Sequence, residues 1–259
     1  MISIVTAYYN RKRLFLETLR SIAKSAYKDF EVIAVDDASE PEERLEDLQT
    51  EFTFLKIIRV EPEDKWYSDS CIPFNMGIAK ASGDIIMIQN PECCHIHDVL
   101  SHVAKTVNDS NYVTMSAYSI NEKLGKVFLS EEVDKKTFFE AMPQQCNTNY
   151  NGWYNHSVYN PTYYHFCAAM TKKNMDKLGG FDERFAPGVG FDDNEILYRI
   201  DRLGLNKIIS DDVSVVHQWH PKVFNLEIPE HNTLYATNEN MLKQILQESI
   251  IKVKNNYYE

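Results

Sequence analysis

A buried strand ends in polar residues at Asn90-Pro91-Glu92, within the stretch GDIIMIQNPECC. Residues 85–88 form an unbroken apolar run, and Pro91 has no N–H to donate to a sheet ladder, so the strand is predicted to end there. In open parallel sheets, ligands bind at the carboxyl ends of the strands. An amide and a carboxylate two residues apart at this point therefore indicate a binding or catalytic role, and the alternative is a simple turn.

Three other polar clusters follow predicted strands. Each has a structural alternative: a helix N-cap for Asp-Ala-Ser, a helix-dipole partner for Asp-Asp, and packing for His-x-x-His. Together they are harder to explain in this way, because the carboxyl edge of one sheet would collect all of them. The clusters are Thr6 to Asn10, Asp36 to Ser39, and Gly188 to Glu195, with His217 and His220 further along the chain.

The elements that must position these groups alternate between strand and helix along the first hundred residues. This pattern predicts an α/β fold, a mostly parallel central sheet with helices on both faces. We see no internal repeat or low-complexity linker and expect one continuous domain. Strands are predicted at 2–7, 30–35, 54–60, 84–88, 112–118, 168–170 and 213–217. Helices are predicted near 15–23, 71–81, 99–107, 132–142, 172–178, 194–203 and 234–253.

Composition excludes some classes of partner. A net charge of −11 with no basic block argues against nucleic acid as the main partner. Five cysteines without a C-x-x-C pair indicate reduced thiols in a cytosolic protein, and no signal-peptide pattern or membrane-spanning run is evident. We leave open a peripheral membrane contact through Lys252, Lys254, Tyr257 and Tyr258, although Glu259 and the overall charge weigh against it.

Five stretches of the chain resemble the GT-A glycosyltransferases, in particular the inverting family 2 and its β-1,4-galactosyltransferase-like relatives. They are IVTAYYNR, VIAVDDAS, PFNMGIAKASGDIIMIQNPE, LGGFDERF and GFDDNEILYRI, and the resemblance covers residues 2–220. It implies a Rossmann-like GT-A domain, assigned to residues 1–225, with a helical extension at 226–259 packed on it. It also implies transfer of a sugar from a nucleotide sugar to a hydroxyl of a glycan or other acceptor.

The resemblance assigns a nucleotide site to the first two strand ends. Thr6, Tyr8, Asp36 and Asp37 match the residues that hold the nucleotide in such enzymes. A carboxylate can accept the imide N–H of uracil, which favours a UDP-sugar. Asn75 matches the Asn-x-Gly helix that precedes the metal-binding strand, and its alternative is a local hydrogen bond within that helix.

The resemblance also gives the opening triplet a role. Family members usually carry Asp-x-Asp at this strand end, where the carboxylates ligate Mn²⁺ or Mg²⁺ beneath the diphosphate. Here Asn90 supplies an uncharged oxygen ligand and Glu92 becomes the main protein ligand, with His217 and His220 as further candidates. A mixed oxygen and nitrogen shell favours Mn²⁺. The altered triplet supports one alternative, a GT-A-shaped protein that binds a nucleotide or sugar with little turnover.

The acidic motif GFDDNEILYRI resembles the one that supplies the catalytic base. Asp193 precedes Arg199 by the family's six residues, so the resemblance implies Asp193 as general base and Asp192 as the acceptor-orienting acid. Residues 130–165, rich in Tyr, Asn and His, are expected to shape the acceptor side. A nucleotidyltransferase on a similar sheet would need a Gly-rich loop after the first strand, and residues 8–11 lack one.

Overall fold

The computed structural model describes residues 1–148, 151–222 and 224–258. Asn149 and Tyr150 of the predicted acceptor segment lie outside the described residues. So do Val223 and Glu259, the last residue of the predicted extension.

A central sheet of nine strands runs through the described part of the chain in the order β3-β2-β1-β4-β8-β6-β9-β5, with β7 paired to β6. The strands are β1 (Ile2–Tyr8), β2 (Phe30–Asp37), β3 (Leu55–Val60), β4 (Ile85–Gln89), β5 (Cys93–His95), β6 (Asn111–Ser119), β7 (Gly152–Asn155), β8 (Cys167–Thr171) and β9 (Asn206–His217). The α-helices are α1 (Lys12–Ala23), α2 (Cys71–Lys80), α3 (Val99–Thr106), α4 (Glu122–Phe128), α5 (Lys135–Glu140), α6 (Lys172–Leu178), α7 (Asp192–Arg202) and α8 (Pro229–Ile245).

The predicted α/β fold is confirmed, and the strands differ in direction between its two halves. β1 to β4 are all parallel, as the alternating pattern predicts. β8 then enters antiparallel to both β4 and β6, and β5 and β7 also pair antiparallel, while β6 and β9 are parallel. The expectation of a mostly parallel sheet is therefore too simple beyond β4, because β8 is not joined to β6 by a strand–helix–strand crossover.

Several boundaries differ from the sequence expectation. Helix α8 begins at Pro229 and ends at Ile245, rather than spanning 234–253, because proline is well placed in the first turn of a helix. Strand β9 is longer than predicted. Short elements without a periodic apolar pattern, β5, β7 and α4, were not predicted at all.

Two apolar layers hold the sheet and fix its carboxyl edge. On one face the buried side of α1, with Phe15, Leu19 and Ile22, packs against β1 and β2. On the other face α2 and α6 pack against β1, β4 and β8. Helix α2 lies very close to β1, since a Cβ added at Gly77 would come within 2.4 Å of a Val5 methyl carbon. The glycine of the Asn-x-Gly motif therefore serves helix–sheet packing.

A C-terminal segment folds back on the domain. Val253 N–H donates to Leu178 O at 3.0 Å, and Asn255 Nδ2 donates to Gly179 O and Phe181 O at 2.6 and 2.5 Å. The two tyrosines that we left open for lipid contact are bonded to the chain: Trp66 donates to the Tyr257 hydroxyl, and the Tyr258 hydroxyl donates to Asp176. Among the described residues, none of the helices combines the length and the apolar character needed to cross a bilayer.

Candidate functional site

The pairing of β5 with β9 brings Glu92 close to His217, two of the predicted metal ligands. Cys93 on β5 pairs with His217 on β9, which sets Glu92 beside the end of β9. Gln218 N–H donates to Glu92 O at 3.1 Å and fixes the same junction. The short strand β5 therefore joins residues that are far apart in the sequence.

Glu92 is a buried carboxylate whose two oxygens have different partners. Its Oε2 accepts from an Arg11 guanidinium nitrogen at 2.9 Å. Its Oε1 lies 3.0 Å from His217 Nε2 and 3.3 Å from His220 Nε2. Burial alone would raise the pKa of Glu92, but the Arg11 charge and the bonds from both imidazoles hold it well below its usual range. Glu92 is therefore ionised at neutral pH despite its burial.

The donor atoms of this cluster fit a divalent cation. Glu92, His217 and His220 each offer one atom, and these atoms all lie within 4.8 Å of one another. Because Arg11 contacts Oε2, Oε1 is the carboxylate oxygen that faces both imidazoles. One carboxylate and two imidazoles form a mixed oxygen and nitrogen shell of the kind that transition metals accept.

A cleft of about 670 Å³ opens above this cluster. Asn90 lines it, and the Asn90 N–H donates to Phe166 O at 3.1 Å. One wall is aromatic: Tyr154 stacks on Phe166 with ring centroids 5.2 Å apart and meets the His217 ring edge-on at 5.1 Å. Flat apolar rings beside a polar floor suit a sugar, and Tyr154 brings the predicted acceptor segment to the cleft.

A second acidic centre lies at the start of α7. Asp193 is 27% exposed, and its Oδ1 accepts from the His165 backbone N–H at 2.9 Å. The His165 Nδ1 lies 2.5 Å from the same oxygen, and its Nε2 lies 3.8 Å from Asp192 Oδ2. Burial alone would lower the pKa of His165, but the charges of Asp193 and Asp192 raise it to about 9. His165 is thus an imidazolium that lies between the carboxyl groups of Asp193 and Asp192.

Asp192 and Asp69 are the fully enclosed acids of this centre. Burial, reinforced by the Asp193 charge, raises the pKa of Asp192 to about 6. Burial and the Asp192 charge raise the pKa of Asp69 well above its ordinary range. Asp69 accepts from the Gly190 N–H at 3.1 Å, which anchors the loop before α7. That loop carries Phe191 at a φ of 69°, a left-handed conformation that costs energy for a residue with a side chain.

Deeper in α7 the motif serves the fold. Arg199 is buried and bonds to both oxygens of Glu195 at 2.5 and 2.6 Å. It also donates to Leu178 O and Gly180 O. The conspicuous six-residue spacing therefore places an arginine that joins α7 to the end of α6, and this fixes the direction in which Asp193 points.

The two centres are connected by two consecutive residues. His165 contacts Asp193, while Phe166 accepts from Asn90 and contacts the His217 ring edge-on at 6.0 Å. The residues before β8 thus form a short bridge from Asp193 to the metal-type cluster.

Of the residues predicted to hold the nucleotide at the first two strand ends and on α2, Asp37 is accessible and four others are buried. Asp37 lies at the end of β2, where its Oδ2 accepts from Lys65 at 2.8 Å and its Oδ1 from the Tyr67 hydroxyl at 2.7 Å. Lys65 also lies over the ring of Tyr9, which is 40% exposed. Asp37, Lys65 and Tyr9 therefore form the accessible surface at this strand end.

The other four predicted nucleotide residues are buried in the protein. Asp36 is buried between Arg59 and the Ser39 N–H, and the Tyr8 hydroxyl donates to Glu43 O at 2.6 Å. Thr6 is buried in β1, with its hydroxyl unpaired among the described residues. Asn75 bonds through both ends of its amide to Phe181, across from α2. The structure gives Asp36, Tyr8 and Asn75 supporting contacts, and for Asn75 the bond is long-range rather than local to its helix.

His165, Asp69 and the Arg11–Glu92 contact are the parts of the site that the motif analysis did not single out. A histidine after two tyrosines has no signal in sequence, because its acidic partners come 27 and 28 residues later and meet it only through the fold. Arg11 belongs to a quoted motif, but its contact with Glu92 spans 81 residues.

Comparison with known proteins agrees with this architecture. One curated relative is the uncharacterized glycosyltransferase YwdF of Bacillus subtilis (strain 168), 30% identical over 126 residues. The match covers 48% of this chain and 45% of YwdF, so it spans less than half of that relative's length.

Two solved structures share the fold. The mannosyltransferase PcManGT from Pyrobaculum calidifontis, in complex with GDP-Man and Mn²⁺, has a TM-score of 0.58 at 16% identity, over 94% of this chain and 64% of that one. S. aureus TarS 1–349, in complex with UDP, also has a TM-score of 0.58, at 17% identity, over 95% of this chain and 69% of that one. At such identities these likenesses show a GT-A-type fold and nothing finer. The model of the family described as glycosyl transferase family 2 matches residues 3–178, more than half of the sequence, and the chain belongs to that family.

Proposed function

We propose that this protein is an inverting glycosyltransferase that moves a sugar from a nucleotide-diphosphate sugar to a hydroxyl of a glycan or other acceptor. One observation carries the proposal. The carboxyl edge of the sheet holds a metal-type cluster and a partly exposed carboxylate, and residues 165–166 bridge them. Family membership and the fold of the two nucleotide-bound neighbours support the same reaction class.

We place the nucleotide over the Asp37, Lys65 and Tyr9 surface. The Asp37 carboxylate can accept the imide N–H of uracil, and the exposed Tyr9 ring offers a stacking face. TarS was solved with UDP and PcManGT with GDP-Man, so the fold accommodates either base. The Asp37 carboxylate favours a UDP-sugar.

Glu92, His217 and His220 are the residues proposed to hold a divalent metal, with Mn²⁺ favoured over Mg²⁺ by the imidazole donors. Such an ion supplies charge neutralisation for the departing diphosphate. Asn90 adds an oxygen without charge, so we expect the nucleotide's own phosphate oxygens to be needed for tight binding. Arg11, which contacts Glu92 from the other side, lines the cleft and adds a fixed positive charge there.

Asp193 is proposed to take the proton from the attacking hydroxyl, on the face opposite the nucleotide, so that the transfer inverts the sugar. Both contacts from His165 use Oδ1, which leaves Oδ2 for the acceptor. Tyr154 and the adjoining segment form the acceptor side of the cleft. Reduced thiols fit a cytoplasmic enzyme, since the five described cysteines are free and four of them are buried.

The test is a panel of UDP-, GDP- and dTDP-sugars, each assayed for donor hydrolysis and transfer, with Mn²⁺ and with excess chelator. We expect turnover of a UDP-sugar that depends on the metal. Binding of nucleotide without hydrolysis or transfer across the panel would support the alternative, a GT-A-shaped binding protein. Full activity in chelator would remove the metal from the proposal and leave Arg11 and the histidines to stabilise the leaving group.

A further inference from the structure

A buried histidine contacts the proposed base from inside the protein. His165 directly precedes Phe166, on the bridge between the two centres, and its side chain is buried. Its ring meets Phe74 edge-on at 5.2 Å and Phe181 at 5.0 Å. These two rings form an apolar slot that allows the imidazole little freedom to turn.

Two nitrogen atoms of His165 contact the same carboxylate oxygen of Asp193. The backbone N–H of His165 donates to Asp193 Oδ1 at 2.9 Å, and its Nδ1 lies 2.5 Å from that oxygen. Two contacts from one rigid residue fix the carboxylate plane, so that the opposite oxygen has a defined direction. Positioning of this kind has large kinetic effects, because a displacement of about 1 Å can cost about 100-fold in rate.

The titratable groups that face the imidazole, beside the Phe74 and Phe181 rings, are mostly acids. Asp193 and Asp192 face it from α7, and Asp69 faces it from the loop before α2. Tyr112 on β6 lies near Asp193 as a neutral phenol, since burial raises its pKa well above the usual range. A protonated His165 therefore offsets negative charge from the acids beside it, and Asp193 is the nearest of them.

We propose that His165 is a positioning residue for transfer, which orients the Asp193 carboxylate from the side opposite the acceptor. This inference rests on the proposed function and extends it, because it names what holds the base. His165 itself does not touch the reacting atoms.

The kinetic test uses His165→Gln, which keeps a polar side chain of similar reach and removes the charge. His102→Gln is the matched control, because His102 is a half-buried histidine on α3 bonded to Ser210 and outside the site. We expect kcat to fall about 10- to 100-fold in His165→Gln, with the UDP-sugar KM nearly unchanged. We also expect the acidic limb of the kcat–pH profile to move to higher pH, which a merely structural role would not cause.

A second measurement does not depend on turnover. NMR titration of the His165 ring in the parent and in Asp193→Asn should show the ring losing its proton at distinctly lower pH in the variant. An unchanged titration would overturn the pairing, and unchanged kcat and pH profile in His165→Gln would overturn the positioning role. If the parent turns over no nucleotide sugar, the proposed function fails as well. If the parent transfers the sugar and His165→Gln has the same kcat and pH profile, this inference alone fails.

Discussion

The two acidic centres at the carboxyl edge have opposite charge balance. At the first, one carboxylate, Glu92, faces a guanidinium and two imidazoles. At the second, three carboxyl groups share one imidazole among the described residues, His165. Glu92, Asp69 and Asp192 are all buried, yet the pKa of Glu92 is lowered and those of Asp69 and Asp192 are raised. Burial alone therefore does not decide the protonation state, because the balance of neighbouring charges outweighs it at Glu92.

This difference matches two chemical tasks. A centre in which a guanidinium and two imidazoles surround one carboxylate is suited to a diphosphate with its metal. A centre with surplus negative charge is suited to receiving a proton. The predictions below alter one centre at a time.

Asp193→Asn should have the largest effect. The amide keeps the shape and loses the basicity, so transfer should fall about 10²- to 10⁴-fold while UDP affinity survives. Steady-state kinetics and calorimetry measure the two quantities. Asp201→Asn, on the exposed end of the same helix where Asp201 pairs with Lys207, is the control and should match the parent. Near-parental turnover in Asp193→Asn would rule out Asp193 as the base and move the role to Asp192, since both oxygens of Glu195 are bonded to Arg199.

Glu92→Gln should come next. It removes the formal charge that holds Arg11 and the two histidines, and the loss of Mn²⁺-dependent activity should exceed the roughly 10- to 100-fold cost of an outer-shell partner. Asn90→Asp should keep activity and tighten Mn²⁺, and His217→Ala should cause a milder loss that added Mn²⁺ partly restores. The measurement is activity and UDP affinity against Mn²⁺ concentration. If Glu92→Gln keeps the Mn²⁺-dependent activity of the parent, Asn90-Pro91-Glu92 is a strand-ending turn and not a metal site.

Alkaline pH should weaken the second centre. The pKa of His165 is raised to about 9 in the folded state, above its ordinary 6.5. Its stabilisation is therefore complete below about pH 6.5 and is lost as the pH rises through about 9, by up to about 3 kcal/mol. Denaturant unfolding at pH 6 and pH 9.5 should show this loss in the parent and a smaller one in His165→Gln.

The first centre supplies the contrast in the same experiment. The pKa of Glu92 is lowered, so its stabilisation is present above about pH 4.5 and is lost as the pH falls through its folded-state value. Glu92→Gln should therefore change the acid side of the stability profile and leave the alkaline side as in the parent. An alkaline loss that persists in full in His165→Gln would mean that another group is responsible.

Asp37→Ala should have the smallest effect. Asp37 has one cationic partner, Lys65, and lies at the surface end of β2, so its loss should leave folding intact and weaken UDP binding about 10-fold. Calorimetry with UDP decides the point. Asp29→Ala, just before the opposite end of β2, is the control, and equal UDP affinity in both variants would remove Asp37 from the donor site.

The parallel half of the fold could be predicted from sequence because local signals agree there. Apolar runs such as Ile85 to Ile88 are bounded by turn residues, and helices between them show a clear buried face. Strand β5, three residues long, has no such signal, and it exists because Cys93 pairs with His217. The second half depends on pairings of this long-range kind, which an isolated sequence does not display.

The candidate site divides in the same way. Glu92, His217 and His220 lie at or just after the ends of predicted strands, where the family resemblance implied ligand roles, and the fold does bring them together. Strand-end position alone does not reveal which side chain turns inward, as Asp36 does towards Arg59 and Tyr8 towards Glu43. His165 could not have been found, since its significance comes from residues that are distant from it in the chain, such as Asp69, Phe74 and Asp193.

The bonds made by Asn255 also set an order of assembly. The Asn255 side chain donates to the Gly179 and Phe181 carbonyls, and it follows Phe181 by 74 residues. At synthesis rates of about 5–20 residues per second, roughly 4 to 15 s separate the two on the ribosome. During that interval the Gly179 and Phe181 carbonyls lack these partners, while the parallel half of the sheet can already pack. Nascent chains should thus complete the parallel half before the loop that packs beside His165 reaches its final form.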